Sequence, residues 1–277
     1  MITTEQKQRA KEFQALHHNK EMLLLPNAWN AGSAKVFEKE GFKAIATTSA
    51  GIAFAMGYAD GEIIDIEDLC LLNEQITRRI SIPLSVDLER GYSNNPQEVK
   101  ENVRKILKTG AVGINLEDGR PDGKLDSLNL LLDKIKAIAE LKTELDLPFV
   151  INARTCTYWL NVGNDEEKLA ITTERCNAFL NAGADCVFVP GLLQKETLVE
   201  LLANINGPLN AIANPVYHDF KEMELLGVSR LSLGSGPVRS IFAHLIQSSK
   251  EIVENKDICS LLNHSFSYDE ANKYFAD

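Results

Sequence analysis

The chain has 277 residues, 44 % of them hydrophobic and 25 % charged, a composition typical of a globular protein with a large core. Its 29 basic and 39 acidic residues give a net charge of −10, which argues against a nucleic-acid partner because such partners need a basic surface. The longest apolar runs are far shorter than the roughly 20 residues of a membrane span. We therefore expect neither nucleic acid nor membrane among its partners.

The cysteines and histidines do not have the spacing of a metal-binding or disulfide framework. The five cysteines are odd in number and never form C-x-x-C, which is typical of reduced thiols in a cytoplasmic protein. The five histidines form no H-x-x-x-H pair, which argues against zinc. The first 22 residues are polar and amphipathic, without the apolar segment of a signal peptide, so we expect a cytoplasmic protein.

Eight short apolar runs recur along the chain, and a polar or glycine-containing break and a helix-like segment follow most of them. Runs without strict alternation are typical of strands buried on both faces of a parallel sheet. Strand and helix alternating eight times favour an α/β fold of the (β/α)8 TIM-barrel type over an open sheet. The predicted strands cover residues 22–26, 44–49, 84–89, 112–117, 149–154, 186–190, 209–214 and 230–234.

The segments between the strands have helical patterning, for example Pro96–Thr109 and Leu128–Thr143. Gly110, Gly183 and Gly227 follow helical segments, where glycine commonly ends a helix in the left-handed conformation. No linker divides the sequence, so we predict one domain over residues 1–277, with an N-terminal helix and a C-terminal helical extension. The extension, from about residue 250, is more apolar than a solvated tail, and we expect it to dock, with another subunit as one candidate.

Polar residues at the ends of the predicted strands define a candidate site, because the active site of an α/β barrel lies at the carboxyl ends of its strands. Asp87, Glu89 and Glu117 end two adjacent strands, and such carboxylates repel each other unless a cation lies between them. Oxygen ligands alone favour Mg²⁺, with Mn²⁺ possible. Arg154 ends the next strand, and its planar guanidinium suits a substrate carboxylate. Each acid could instead cap a helix.

Longer motifs resemble those of the isocitrate lyase/phosphoenolpyruvate mutase superfamily. They are SVDLERGY (85–92), GINLEDG (113–119), FVINART (149–155) and GADCVFVPG (183–191), with LLLPNAWNAGSA (23–34) and TTSAGIAFAMGYADGE (47–62) upstream. The resemblance implies a Mg²⁺-dependent (β/α)8 barrel whose last helix is exchanged between neighbouring subunits of a homodimer or homotetramer. It also implies a small-molecule 2-oxo acid substrate in which a C–C or P–C bond next to the 2-oxo carboxylate is made or broken.

The resemblance assigns roles to individual residues. It makes Asp87, Glu89 and Glu117 the acids that hold Mg²⁺, several of them through water, and it places Asp60 near the metal. By the same resemblance Arg154 binds substrate, as does the segment formed by Ser49, Ala50 and Gly51. We therefore predict Arg154, Glu117 and Asp60 as catalytic residues. The predicted substrate-binding residues are Ser49, Ala50, Gly51, Arg154 and Asn214, the last of these at the end of the seventh predicted strand.

One loop departs from the superfamily pattern. Isocitrate-type lyases carry K-[KR]-C-G-H on the loop after the fourth strand, whereas residues 117–128 here read EDGRPDGKLDSL. Lys124 also matches the mutase pattern poorly in spacing, and Ser235 stands where some oxaloacetate-decarboxylase-like members have histidine. We therefore predict a Mg²⁺-dependent C–C lyase acting through an enolate. Phosphonopyruvate hydrolase or phosphoenolpyruvate mutase chemistry and a non-catalytic 2-oxo acid binding protein are the alternatives.

Overall fold

The computed structural model describes residues 2–263 and 265–276, so His264 lies outside the described residues. Within them nine parallel strands form one sheet. The strands are β1 (Leu23–Leu25), β2 (Asn27–Ala28), β3 (Ile45–Thr47), β4 (Leu84–Asp87), β5 (Gly113–Glu117), β6 (Val150–Arg154), β7 (Cys186–Val189), β8 (Leu209–Ile212) and β9 (Arg230–Ser232).

Helices alternate with most of the strands along the chain. They are α1 (Thr4–Leu16), α2 (Ala31–Lys39), α3 (Ser49–Ala55), α4 (Ile66–Thr77), α5 (Pro96–Lys108), α6 (Leu128–Glu144), α7 (Asp165–Asn181), α8 (Lys195–Asn204), α9 (Phe220–Leu226), α10 (Gly236–Asn255), α11 (Cys259–Leu262) and α12 (Tyr268–Phe275). None of the described helices is long and apolar enough to cross a membrane. The described chain divides into two compact units, residues 1–234 and residues 235–277, and the second unit contains α10, α11 and α12.

The sheet closes into a barrel because its first strand is interrupted at Pro26. The segment before this proline, β1, pairs with β9, and the segment after it, β2, pairs with β3. Proline has no N–H to donate to a strand ladder, so a switch of partner at this position loses no hydrogen bond from Pro26 itself. Two short strands thus occupy one of eight barrel positions, and the predicted (β/α)8 barrel is confirmed.

The ends of the helices follow the local sequence. Asn95 caps α5 by accepting the N–H of Gln97, and Pro96 occupies the first helical turn, where a missing N–H costs nothing. After α5, Gly110 has a φ of +103°, a left-handed conformation that residues with a β-carbon rarely adopt. Gly183 ends α7 in the same way, with a φ of +114°. Short connections of this kind return the chain directly to the next strand.

Helix α1 closes the barrel at the end opposite to the carboxyl ends of the strands. The ring of Phe13 packs over Gly113 so closely that an added β-carbon would lie 2.6 Å from Phe13 Cε1. The neutral His17 ring donates its Nδ1–H to the carbonyl of Phe13 at 2.8 Å, and its Nε2 lies 3.5 Å from Nη1 of the buried Arg230. Burial and the charge of Arg230 lower the pKa of His17 to about 3. In the barrel interior Arg230 therefore lies beside a neutral imidazole.

We expect His17 to make the fold sensitive to acid. Its pKa is lower in the folded chain than the unperturbed value of about 6.5, so the unfolded state takes up a proton first and stability falls as the pH drops below about 6.5. Between pH 7 and pH 5 the free energy of unfolding of the wild type should fall by about 2 kcal/mol more than that of His17→Gln, measured by urea unfolding.

The neighbouring His18 provides a matched control, because it is exposed. His18→Gln should keep the wild-type dependence of stability on pH. The same dependence in all three proteins would show that His17 is not buried as a neutral group.

Candidate active site

A cavity of about 290 Å³ opens at the carboxyl ends of β4, β5 and β6. Half of its lining residues are charged, which is unusual for a small-molecule site and indicates a polar ligand. Five of the sequence-predicted site residues line it, namely Ser49, Asp60, Glu89, Glu117 and Arg154. Asp87 lines a narrower recess that shares Ser49 and Glu89 with this cavity.

The centre of the site is an ion pair between neighbouring strands. Glu117 and Arg154 are partners in the β5–β6 register, and Arg154 Nη1 lies 2.7 Å from Glu117 Oε2. Burial raises the pKa of Glu117 to about 7, even though the charge of Arg154 opposes this rise. Burial alone would lower the pKa of Arg154, but Glu117 holds it above its ordinary value. The guanidinium also lies 5.8 Å from the ring of Trp159 and 5.6 Å from that of Phe188.

Three further carboxylates interact with this pair. Burial and the nearby charge of Asp87 raise the pKa of Glu89 to about 8. Burial and Asp87 also raise the pKa of Asp60, while a hydrogen bond from Ser49 opposes the increase. These shifts have a common cause, because acids gathered in a space with little water disfavour each other's charged forms. The cluster is therefore a place where a cation would be stabilised.

The segment formed by Ser49, Ala50 and Gly51 begins helix α3 beside these acids. Ser49 N–H donates to Asp87 Oδ2 at 3.2 Å, and Gly51 N–H donates to the Oγ1 of Thr48, which caps the helix. The backbone donors at Ser49 and Gly51 are thus used within the protein. The assignment of Ser49, Ala50 and Gly51 to substrate binding stays a prediction.

Glu62 is a residue of the site that sequence reasoning missed. Its N–H donates to Glu89 Oε2 at 2.8 Å, and its Oε1 accepts the N–H groups of Arg90 and Tyr92 at 2.9 and 3.0 Å. Glu62 and Glu89 both have a φ of +48°, a region that side chains rarely adopt. The hydrogen bonds between Glu62 and residues 89–92 hold both parts of the chain in these conformations. The signal in the sequence was its place two residues after Asp60 in GYADGE.

The loop after β5 is anchored on both sides by buried charges. Asp118 accepts the N–H of Cys156 at 2.7 Å and pairs with Arg175 Nη1 at 2.9 Å. Arg175 also donates to the carbonyl of Asp126 at 3.0 Å, and the Asp126 carboxylate pairs with Arg90 at 2.8 Å. Residues 119–125 therefore project from a fixed base. Arg175 lies on α7, and no spacing in the sequence connects it with this loop.

Asn214 lies just after β8 and does not line the cavity. Its Oδ1 accepts the N–H groups of Val216 and Tyr217 at 2.9 and 3.1 Å, which shapes the following turn. Its assignment to substrate binding stays a prediction. Cys156, by contrast, lies on the cavity wall, where its Sγ accepts Arg154 Nε–H at 3.2 Å. Burial keeps the pKa of Cys156 above its ordinary value, so the thiol is protonated.

The donor atoms of the cavity are compatible with Mg²⁺ bound largely through water. Among the described residues no three His, Cys, Asp or Glu side chains converge to hold a metal directly. Mg²⁺ in proteins usually keeps several waters and takes one or two carboxylates. The mutual repulsion of Asp60, Asp87 and Glu89 and the oxygen-only donors fit such an ion. Of the acids in this cluster, Arg154 forms an ion pair with Glu117 and leaves the charges of the others without this compensation.

Comparisons with known proteins agree with this architecture. The profile of the phosphoenolpyruvate phosphomutase family matches residues 13–253. An uncharacterised protein of Mycobacterium tuberculosis is 35% identical over 236 residues, covering 81% of this chain and 82% of that one. The 2-methylisocitrate lyase of Escherichia coli K12 is 30% identical over 212 residues, covering 70% of this chain and 69% of that one.

The overall fold has close counterparts among solved structures. A Burkholderia cenocepacia protein provisionally described as a lyase or mutase superposes with a TM-score of 0.92 at 28% identity, covering 99% of this chain and 98% of that one. Together with the barrel and its acidic mouth, these matches define the class of protein. The chain belongs to the phosphoenolpyruvate phosphomutase family, within the isocitrate lyase/phosphoenolpyruvate mutase superfamily, which confirms the resemblance found in the sequence.

The anchor of the loop gives a prediction about stability. Removing one partner of a buried ion pair leaves the other charge uncompensated, so Asp118→Ala should lower the free energy of unfolding by about 3–5 kcal/mol. Asp122→Ala removes an exposed partner of Arg120 from the same loop and should cost about 1 kcal/mol or less. Urea unfolding measures both values. Equal losses in the two variants would contradict the anchoring role of Asp118.

Proposed function

We propose that this protein is a Mg²⁺-dependent lyase that breaks a C–C bond next to the oxo group of a 2-oxo acid or a related di- or tricarboxylate. The observation that carries the proposal is one cavity containing both a carboxylate cluster and Arg154. The carboxylate cluster can bind a metal cation, and Arg154 can bind the carboxylate of the substrate. The relationship to 2-methylisocitrate lyase of E. coli supports the same class of reaction.

Each residue of the cavity has a defined part in this proposal. Asp87, Glu89 and Glu117 would hold Mg²⁺, with Asp60 beside them. When bound, Mg²⁺ supplies a Lewis acid that stabilises negative charge on the substrate oxygens. Arg154 donates to the substrate carboxylate, and its contact with Glu117 and its position near Trp159 fix the guanidinium plane beforehand. One such oriented donor is typically worth about 3 kcal/mol of the barrier.

Decarboxylation of a 2-oxo acid leaves the electron pair as an enolate conjugated with the oxo group. Retro-aldol cleavage of a 2-hydroxy acid instead converts the hydroxyl into the oxo group, with loss of its proton, and leaves the pair on the other fragment as an enolate of its carboxylate. In a retro-aldol reaction the enolate carbon must then receive a proton from a positioned group. The loop has three acids or bases that could carry one, and the buried Asp126 is bound to Arg90, which leaves Asp122 and Lys124. Decarboxylation needs less from the protein, because CO2 departs without a proton and water can protonate the enolate later. This loop therefore favours decarboxylation.

A substrate screen tests the proposal. With Mg²⁺ present, we expect decarboxylation of oxaloacetate to be faster than cleavage of 2-methylisocitrate, measured as initial rates of pyruvate release. 2,3-Dimethylmalate and phosphonopyruvate complete the panel. Oxalate, a planar mimic of the pyruvate enolate, should bind more tightly than pyruvate. Cleavage of 2-methylisocitrate with negligible oxaloacetate turnover would reverse the expected order, and turnover of phosphonopyruvate alone would replace the proposed C–C chemistry.

The metal assignment gives a second prediction. Asp87→Asn keeps an acceptor for Ser49 N–H but removes the negative charge that interacts with the other acids. We expect it to weaken Mg²⁺ binding at least tenfold, measured by calorimetry without substrate. Asp122→Asn is the control, because it removes the same charge from an exposed position of the loop after β5. It should bind Mg²⁺ like the wild type. Unchanged affinity in Asp87→Asn would exclude this residue from the metal site.

The role of Arg154 gives a third prediction. A lysine provides a point charge but not two parallel donors, so Arg154→Lys should weaken oxalate binding by about 1.5–3 kcal/mol. Mg²⁺ affinity should change much less, because Arg154 is not a metal ligand. Calorimetry with oxalate and with Mg²⁺ alone separates the two effects. Wild-type affinity for oxalate in the variant would remove Arg154 from the substrate site.

A further inference from the structure

Arg120 is a cation on the cavity wall that the proposed chemistry does not use. Three arginines line this cavity, and two of them are held by largely buried carboxylates. Arg154 pairs with Glu117 at 2.7 Å, and Arg90 pairs with Asp126 at 2.8 Å, both in largely buried surroundings. Arg120 pairs with Asp122 at 2.8 Å, but these side chains are 45% and 43% exposed. An exposed pair of this kind contributes only about 0–1 kcal/mol, so a ligand can replace Asp122 at small cost.

The fold presents Arg120 at a defined place. Its N–H donates to the carbonyl of Lys124 at 2.8 Å, and its carbonyl accepts the N–H of Gly123 at 3.0 Å, so the tip of the loop is a closed turn. The base of the loop is fixed by the buried Asp118, whose carbonyl accepts Asp126 N–H at 2.7 Å. The backbone of Arg120 is therefore ordered before any ligand arrives, and only its side chain has to reorient.

The charges of the cavity select the kind of group that Arg120 would bind. The other charged residues on the wall, apart from the three arginines, are acidic: Asp60, Glu62, Glu89 and Glu117. If Arg154 holds the carboxylate next to the oxo group, a second anionic group on the substrate would meet carboxylates, or Arg90 already paired with the buried Asp126, except beside Arg120. A cavity of about 290 Å³ has room for a molecule larger than a two-carbon acid.

We propose that Arg120 binds the distal carboxylate of a 2-oxo dicarboxylate and thereby determines specificity for diacids over monoacids. This inference rests on the proposed function, which places the 2-oxo carboxylate at Arg154. In oxaloacetate decarboxylation this distal carboxylate is the group that leaves as CO2, so Arg120 binds it before the C–C bond breaks. It replaces its exposed contact with Asp122 by a contact with the substrate, and the fixed base of the loop keeps it over the cavity.

The test compares ligands that differ only in the distal group. Oxalate probes the inner part of the site, and 2-oxobutanoate and oxaloacetate have the same number of carbons, but only oxaloacetate has a distal carboxylate. Their affinities for the Mg²⁺-loaded protein are measured by competition with oxalate, with initial-rate KM values where oxaloacetate is turned over. Arg120→Gln removes the charge, and Lys108→Gln removes the same charge from an exposed position at the end of α5, outside the cavity wall.

We expect Arg120→Gln to weaken oxaloacetate binding about tenfold and to change oxalate and 2-oxobutanoate binding less than twofold. Lys108→Gln should match the wild type with all three ligands. Equal behaviour of the two variants with normal oxalate binding would overturn the role of Arg120 alone. Failure of the wild type to bind oxalate would overturn the proposed function and this inference with it. An Arg120-dependent preference for phosphonopyruvate over oxaloacetate would overturn the assignment to a carboxylate.

Discussion

The arrangement of the site depends on one contact, the ion pair between Glu117 and Arg154 at the ends of adjacent strands. Buried carboxylates that are close together repel each other, and burial already raises the pKa of Glu117 to about 7 and that of Glu89 to about 8. Without a cation these acids oppose folding increasingly as the pH rises from about 4.5 to these pKa values, because the unfolded chain ionises them first. Arg154 offsets the charge of Glu117, and the negative charge of the other acids makes the cavity suited to a divalent cation.

The fold and the acidic mouth were predictable because both depend on local patterns. Each of the eight apolar runs contains a strand, and parallel strands necessarily bring their carboxyl ends to one edge, so Asp87, Glu117 and Arg154 had to lie near each other. The interruption at Pro26 was not predicted. Partner choice on the two sides of a proline depends on how the barrel closes, which no local pattern records.

The residues that support the site were not predictable, because they come from distant parts of the chain. Arg175 reaches Asp118 across 57 positions, and Arg90 reaches Asp126 across 36. A polar residue on a helix is ordinarily solvated, so nothing in the sequence separates Arg175 from its neighbours. The acceptors of the backbone N–H groups at the start of α3 were equally unpredictable. No pattern in the sequence shows that the Ser49 N–H donates to Asp87 or that the Gly51 N–H donates to Thr48 in the folded chain.

The barrel interior links the N-terminal helix to the acidic mouth. Arg230 is fully buried, and burial lowers its pKa to about 10, whereas the charge of Asp87 at the mouth partly opposes this decrease. The guanidinium therefore offsets some of the negative charge above it without forming an ion pair with any described carboxylate. It donates to Asn115 Oδ1 at 3.2 Å, and Asn152 Nδ2 donates to the same oxygen at 2.9 Å. Because Asn115 and Asn152 lie two residues before Glu117 and Arg154, this polar layer supports both strands directly beneath the ion pair.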